Sequence, residues 1–466
     1  MKKKGIELNF AYVAAAAFLG AYSFFQFFYP YHLIRREQLS LFLYDWDYIC
    51  QTYKGSGWLA LFLSDFLEQF FRLPAAGPAV IAAILTGIGY VTYKIFRHFL
   101  GRWPSLAVAT VIFAWCFLRE TGAVFCTRYT LAVLGYLSLI LAALSFPKAW
   151  MKPVAAALLL CGGTWALGAP VDRQHGRLFA KPDLQLDKVI GMDTEVYREN
   201  WDKVLRLSKG AGNYTEASYA YNIAHGMKGD LPYALFQRPQ NYSKSLLFWS
   251  SPSPFNVGVA GEAWFQLGDM TLAEQCAIIS LLAMPNHAGS RPLIRMAQCN
   301  LATGDSGAAQ KYLELLSKSL FYGKWARGLL TDAPDESTAI WLEKARKNQA
   351  GSDVVYDENE FRPILLGLLE ANPSNTLARD YLLCYDLLRF NLDLFLEDYE
   401  RQGMPNGTIY KEAVLLCLGN NGRLSMEEAS RYGVDESMVD RMLRFTRYPN
   451  NYKNTYWYFY MNSMED

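Results

Sequence analysis

Three acidic residues, Glu37, Asp45 and Asp47, follow the first long apolar run, in Arg35-Arg36-Glu37-Gln38 and Tyr44-Asp45-Trp46-Asp47-Tyr48. A carboxylate held at a lipid surface can take a proton from an attacking hydroxyl or hold a divalent cation. Membrane glycosyltransferases that use lipid-linked sugars carry an acid at a comparable place, which makes this loop the one candidate catalytic site. The competing assignment pairs Glu37 with Arg35 or Arg36 and leaves the aromatics as an interfacial belt, with no catalytic residue at all. The patterns G-x-S-x-G and H-E-x-x-H, the P-loop and the dinucleotide fingerprint are absent. His32, His98, His175, His225 and His287 are the only histidines, and no two share a predicted helix face. They read as packing or surface residues, so neither a metal nor a cofactor is expected. Cys50, Cys116, Cys126, Cys161, Cys276, Cys299, Cys384 and Cys417 show no C-x-x-C spacing and read mostly as small apolar packing residues. Cys276 and Cys299, on successive predicted helices, are placed to pair if they lie in an oxidising compartment.

The elements around this loop divide the chain sharply. Its 466 residues carry 45 basic and 44 acidic side chains, a net charge of +1, which gives no basic field for nucleic acid. Most of the apolar excess lies before residue 170. Residues 10–29 hold no charge and match the ~20 residues that a bilayer-spanning helix needs. They follow Met1-Lys2-Lys3-Lys4 and end in aromatics rather than a small-residue cleavage site, so an uncleaved first span is expected. Residues 75–93, 103–118, 129–146 and 154–167 have the same character, which makes about five spans. Residues 58–73 are apolar but carry Asp65, Glu68 and Arg72, and an acid at mid-bilayer costs roughly 2.5–3.5 kcal/mol. Asp65 and Glu68 share a helix face, so an amphipathic interfacial helix is expected there.

Lys2, Lys3, Lys4, Lys94, Arg97, Arg102, Lys148 and Lys152 fall on one side of such a bundle, which places the N-terminus in the cytoplasm. An odd number of spans then delivers everything after Pro170 to the far side, the periplasm of a Gram-negative cell. Ala75, Ala79, Ala83 and Gly87 recur every four residues, and such a stripe predicts close packing of the second span inside the bundle.

After a linker over residues 171–193, helical patterns start near Thr194 and run to the end of the chain. Gly268-Asp269 and Gly304-Asp305 are 36 residues apart, as are Ala273 and Ala309, and Gly229-Asp230 lies 39 before the first. Glycine accepts the left-handed conformation that ends one helix, and aspartate caps the next. The spacing is near the 34-residue tetratricopeptide period and predicts a stacked solenoid over 194–466. A looser unit begins at Asn372-Pro373-Ser-Asn375, with Asn391 to Asp393 in its turn. The fold class expected is therefore all-α, a transmembrane bundle over 1–170 followed by a helical-repeat domain.

Four stretches carry a family resemblance: Tyr31-His-Leu-Ile-Arg-Arg-Glu-Gln-Leu-Ser-Leu-Phe-Leu-Tyr44, Phe62-Leu-Ser-Asp-Phe-Leu-Glu-Gln-Phe-Phe71, Lys318-Ser-Leu-Phe-Tyr-Gly-Lys-Trp-Ala326 and Leu368-Leu-Glu-Ala-Asn-Pro373. In these the chain resembles an uncharacterised Bacteroidales family of multi-span membrane proteins, known as a domain of unknown function. The resemblance implies a multi-span part followed by a helical extracytoplasmic domain, and implies no activity. The function expected is a membrane-anchored scaffold whose repeats bind a periplasmic or envelope protein. The alternative is a glycosyl or envelope-polymer transferase acting on a lipid-linked substrate at Glu37, Asp45 and Asp47. The partners expected are membrane lipid and an envelope protein, with no nucleic acid. The Gly-Asp turns are expected to be structural.

Overall fold

A computed structural model describes residues 2–122, 127–168, 181–247, 254–284, 287–331, 333–350 and 360–463. The protein is all-helical, with no strand among the described residues. The chain forms two compact units. The first comprises Met1–Ile190 together with Pro285–Arg291 and Leu313–Asp332, and the second holds Gly191–Met284, Pro292–Tyr312 and Ala333–Asp466. Two stretches that lie far beyond residue 194 in sequence thus cluster with the N-terminal unit.

The first unit begins with α1 (Lys2–Ser23), which runs into a π-helical turn over Phe24–Phe28. Four helices follow: α2 (Tyr31–Gln38), α3 (Trp46–Thr52), α4 (Trp58–Glu68), which ends in a 3-10 turn over Gln69–Arg72, and α5 (Ala76–Arg97). The unit continues with α6 (Arg102–Glu120), α7 (Thr127–Leu144) and α8 (Met151–Leu167). The helix predicted near 58–73 is present as α4 and its 3-10 turn. Among the described residues three helices are long and apolar enough to cross a membrane, over Phe10–Phe28, Ala76–Arg97 and Thr127–Leu144.

Central in this unit is α5, which packs on α1, α6 and α7, while α4 lies against α7 and α8. Ile81, Ala82, Leu85 and Ile88 make its buried stripe, closed over by Phe25, Leu33, Phe71 and Cys116. The expected alanine stripe is not the packed face, since Ala75 and Ala83 are exposed. The larger side chains of the neighbouring column make more van der Waals contacts with three helices than a row of methyls would, so they turn inward. The last carbonyls of α8 are satisfied by the loop ahead of α4: the Ser56 hydroxyl donates to Thr164 O at 2.9 Å and the Gly57 amide to Trp165 O at 2.8 Å.

Helix α9 (Leu184–Tyr197) starts well before Thr194. Asp183 explains this, because its carboxylate accepts the amides of Gln185 and Leu186 at 3.0 and 2.9 Å and caps the helix inside the stretch read as linker. Residues 171–180 of that stretch, His175 among them, lie outside the described residues.

Beyond it come α10 (Trp201–Ser208), α11 (Thr215–Lys228), α12 (Leu231–Ala234), α13 (Pro254–Leu267), α14 (Met270–Ala283), α15 (Ser290–Thr303) and α16 (Ser306–Ser317). Next are α17 (Gly323–Leu330), which belongs to the first unit, α18 (Glu336–Asn348), α19 (Arg362–Ala371), α20 (Thr376–Leu388) and α21 (Leu392–Arg401). The chain closes with α22 (Thr408–Asn420), α23 (Met426–Arg431), α24 (Glu436–Arg447) and α25 (Tyr456–Ser463).

Within the second unit neighbours in sequence pair in space, α10 with α11, α13 with α14, and α20 with both α19 and α21. All three Gly-Asp turns have their glycine at positive φ, +76° at Gly229, +105° at Gly268 and +85° at Gly304. Asp269 and Asp305 cap as expected, accepting the amides of Leu272 and Ala308 at 2.9 Å. Asp230 differs, since its carboxylate meets His225 Nδ1 at 2.7 Å and caps no amide of α12. Ala273 and Ala309 are both buried, as a close helix crossing requires.

Candidate functional site

Polar side chains gather where α1 ends. Pro30 stands at the N-cap of α2 and has no side-chain acceptor to offer its first amides. Asp187 from α9 fills that role from far along the chain, accepting the His32 amide at 2.8 Å and also the Tyr31 amide. Burial pushes its carboxyl up to about 7 against those two bonds. The Tyr29 hydroxyl donates to Thr121 O at 3.0 Å. His32 Nε2 lies 2.7 Å from Gly122 O, and because a carbonyl only accepts, Nε2 carries the proton. Burial, helped by the charge of Arg36, holds the imidazole down to about 3, so His32 is neutral.

One turn further along α2, Arg36 reaches across the unit. Its Nη1 donates to Glu120 Oε2 at 2.5 Å and to Thr127 Oγ1 at 3.3 Å, and its Nη2 donates to Glu120 O at 2.8 Å. The other carboxylate oxygen of Glu120 takes the Thr130 hydroxyl. Glu68 is buried, accepts the Ser64 hydroxyl at 3.1 Å, and is raised above the usual carboxylate range by burial. This arrangement ties α2 to α6 and α7, and its ionic oxygens are already occupied. Its chemistry is that of a buried latch, costly to break from one side.

The three acids singled out in the sequence are placed differently. Glu37 is buried and accepts the Tyr322 hydroxyl at 2.6 Å and the Ser290 hydroxyl at 3.3 Å. Arg36, one of its two expected partners, is turned to Glu120. Asp45 caps α3 by accepting the Tyr48 amide at 2.9 Å and pairs with Lys318 Nζ at 2.8 Å. Those two contacts, Lys318 first, hold its carboxyl below the usual range. Asp47 is exposed on the first turn of α3. Glu37 and Asp45 are thus brought to one short stretch, residues 318–322, through different side chains, and Asp47 is not part of that contact. The backbone reinforces it: the Tyr44 amide donates to Lys318 O at 2.8 Å and the Ser290 amide to Ser40 O at 3.1 Å.

Three of the four stretches that carry the family resemblance meet here. The Tyr44 hydroxyl donates to Gln69 Oε1 at 3.3 Å, Phe70 and Phe321 pack edge to face at 5.9 Å, and the Arg72 guanidinium lies 4.5 Å over the Tyr322 ring. Sequence reading missed His32, Arg36, Glu68, Glu120 and Asp187 as one cluster. The signal was present in Arg119-Glu120 closing an apolar run, since an acid at the end of such a helix needs a partner. Among the described residues no group of three or more His, Cys, Asp and Glu is placed to hold a metal. Cys276 and Cys299 are free, buried thiols, and burial pushes Cys276 up to about 12; Cys126 lies outside the described residues.

One family model, described as a family of unknown function (DUF6057), matches residues 4–172 and again 170–463. No curated protein and no solved structure matches the chain.

Proposed function

The chain belongs to the DUF6057 family of unknown function, and from that premise we propose that it is a membrane-anchored helical-repeat scaffold binding an envelope protein. In this reading α1, α5, α6, α7 and α8 make a five-span bundle, with α4 at the interface. The N-terminus is cytoplasmic, and the second unit is a tetratricopeptide-like array in the periplasm of a Bacteroidales-type cell. The three long apolar helices and the matched Gly-Asp turns support it.

The observation that carries the reading is the fate of the acidic residues. Glu37 and Asp45, the best placed for transfer chemistry, are engaged with Tyr322, Ser290, Lys318 and the α3 cap. A carboxylate that caps a helix and holds a lysine is poorly free to take a proton from a substrate. Asp45→Asn keeps a capping oxygen, and Asp47→Asn changes an exposed side chain. Crosslinking in native membranes followed by pull-down of each variant is expected to capture the same proteins as the wild type. If either variant, at normal protein level, reproduces the phenotype of the gene deletion while its crosslinked proteins are unchanged, the transferase reading replaces the scaffold.

A further inference from the structure

We propose that the cavity beside the turn between α20 and α21, in the second unit, binds a neutral, hydroxyl-rich ligand, a saccharide unit. The cavity measures about 350 Å³, within the range of roughly 300–1,000 Å³ that small-molecule sites occupy. Phe390, Asn391, Asp393, Asn420, Asn421 and Tyr460 are among its lining residues.

The turn departs from the pattern set by the other three. Where those carry glycine and aspartate, this one carries Phe390 and Asn391. Phe390 stands at φ +61°, in the left-handed region that a bulky side chain rarely enters. Asn391 occupies the N-cap of α21 and makes no side-chain capping bond, although asparagine is among the best capping residues. Both departures fall at the edge of the same cavity. The Phe390 ring packs on Phe459 at 5.4 Å and Tyr460 at 5.9 Å, which fixes Tyr460 at the rim.

The lining decides the ligand class. Among the described residues its charged member is Asp393, and neither lysine, arginine nor histidine lines it, so a phosphate or carboxylate finds no counter-charge there. One carboxylate is too few for a hard cation. The carboxamides of Asn391, Asn420 and Asn421 each offer a donor and an acceptor, and the Tyr460 hydroxyl offers both. Asn420 Nδ2 lies 3.4 Å from the Tyr460 oxygen and Asn421 Nδ2 lies 3.7 Å from Cys417 Sγ, both weak bonds that a hydroxyl can displace. Sugar hydroxyls are likewise donor and acceptor at once, and the C–H face of a pyranose packs on aromatic rings such as Phe390 and Tyr460.

This inference does not rest on the scaffold reading, because it concerns a small ligand in one cavity of the second unit. It is tested on the full chain in lipid nanodiscs by saturation-transfer difference NMR, with glucose, galactose, mannose and N-acetylglucosamine as probes and glucuronate as the anionic control. At least one neutral sugar is expected to give a signal that falls at least tenfold in Asn391→Ala and Asn420→Ala, with helical circular dichroism unchanged. If Asn391→Ala fails to fold, Asn421→Ala, which removes another lining carboxamide, is expected to show the same loss. Silence from every neutral sugar, equal signals from the variants, or a stronger signal from glucuronate overturns the assignment.

Discussion

Asp187 carries two demands that oppose each other, since it accepts two backbone amides as an ion would and lies where burial favours the neutral acid. Unfolded, it titrates near 4, whereas folded it is raised to about 7. Between those values the folded protein holds a proton that the unfolded chain lacks. Its contribution is therefore fully present below pH about 4 and is lost as pH rises through about 7. Asp187→Asn keeps an acceptor oxygen without the titration, so its melting temperature minus that of the wild type is expected to rise from pH 4 to 7 and then level. His32 titrates in both proteins and cancels in that difference. A difference independent of pH, read by circular dichroism melts, would refute the account. Arg36 makes a second prediction at this scale. Removing one partner of a buried ion pair costs about 3–5 kcal/mol, and Glu120 is fully buried. Arg36→Met is expected to lose that much in denaturant titration, and adding Glu120→Gln is expected to recover part of it. Equal stability of the single and double variants would mean that the pair is not the latch.

At the scale of elements, the three Gly-Asp turns share a backbone conformation but not a neighbourhood. A Cβ added at Gly229 or Gly304 meets open space, whereas at Gly268 it would lie 2.5 Å from Asn348 O. Gly229→Ala and Gly304→Ala are expected to cost about 1–2 kcal/mol each, the penalty of a left-handed residue with a Cβ. Gly268→Ala adds overpacking against a backbone oxygen, about 1–3 kcal/mol more. Denaturation of the three variants side by side measures this, and equal losses would remove the close approach of Gly268 to α18. The same contrast explains why a repeat spacing alone says little about packing: glycine is needed for the turn in all three, and for space in one.

For the whole molecule, the proposed arrangement in the membrane is a question of charge and span number. In that proposal the short segments rich in lysine and arginine, with an odd number of spans, place the N-terminus inside and the second unit outside. An alkaline phosphatase fused after Asp466 is expected to be active and one fused after Arg102 inactive. The reverse pattern, beside a fluorescent cytoplasmic reporter at the C-terminus, would overturn the orientation.

The all-helical class, the three long apolar helices, the presence of a helix over residues 58–73 and the left-handed glycines at 229, 268 and 304 followed from the sequence by itself. Each depends on local composition, on helical period or on the steric freedom of one residue. The start of α9 is also local, written in Pro182-Asp183, but no apolar periodicity marks it. Which face of α5 packs was decided by three neighbouring helices at once. The contacts of Glu37 and Asp45 with Ser290, Lys318 and Tyr322 join residues up to 285 positions apart, and the roles of the two acids follow from them. A carboxylate reads the same in sequence whether it meets substrate or a tyrosine hydroxyl. Only the folded chain brings the partner that chooses between them.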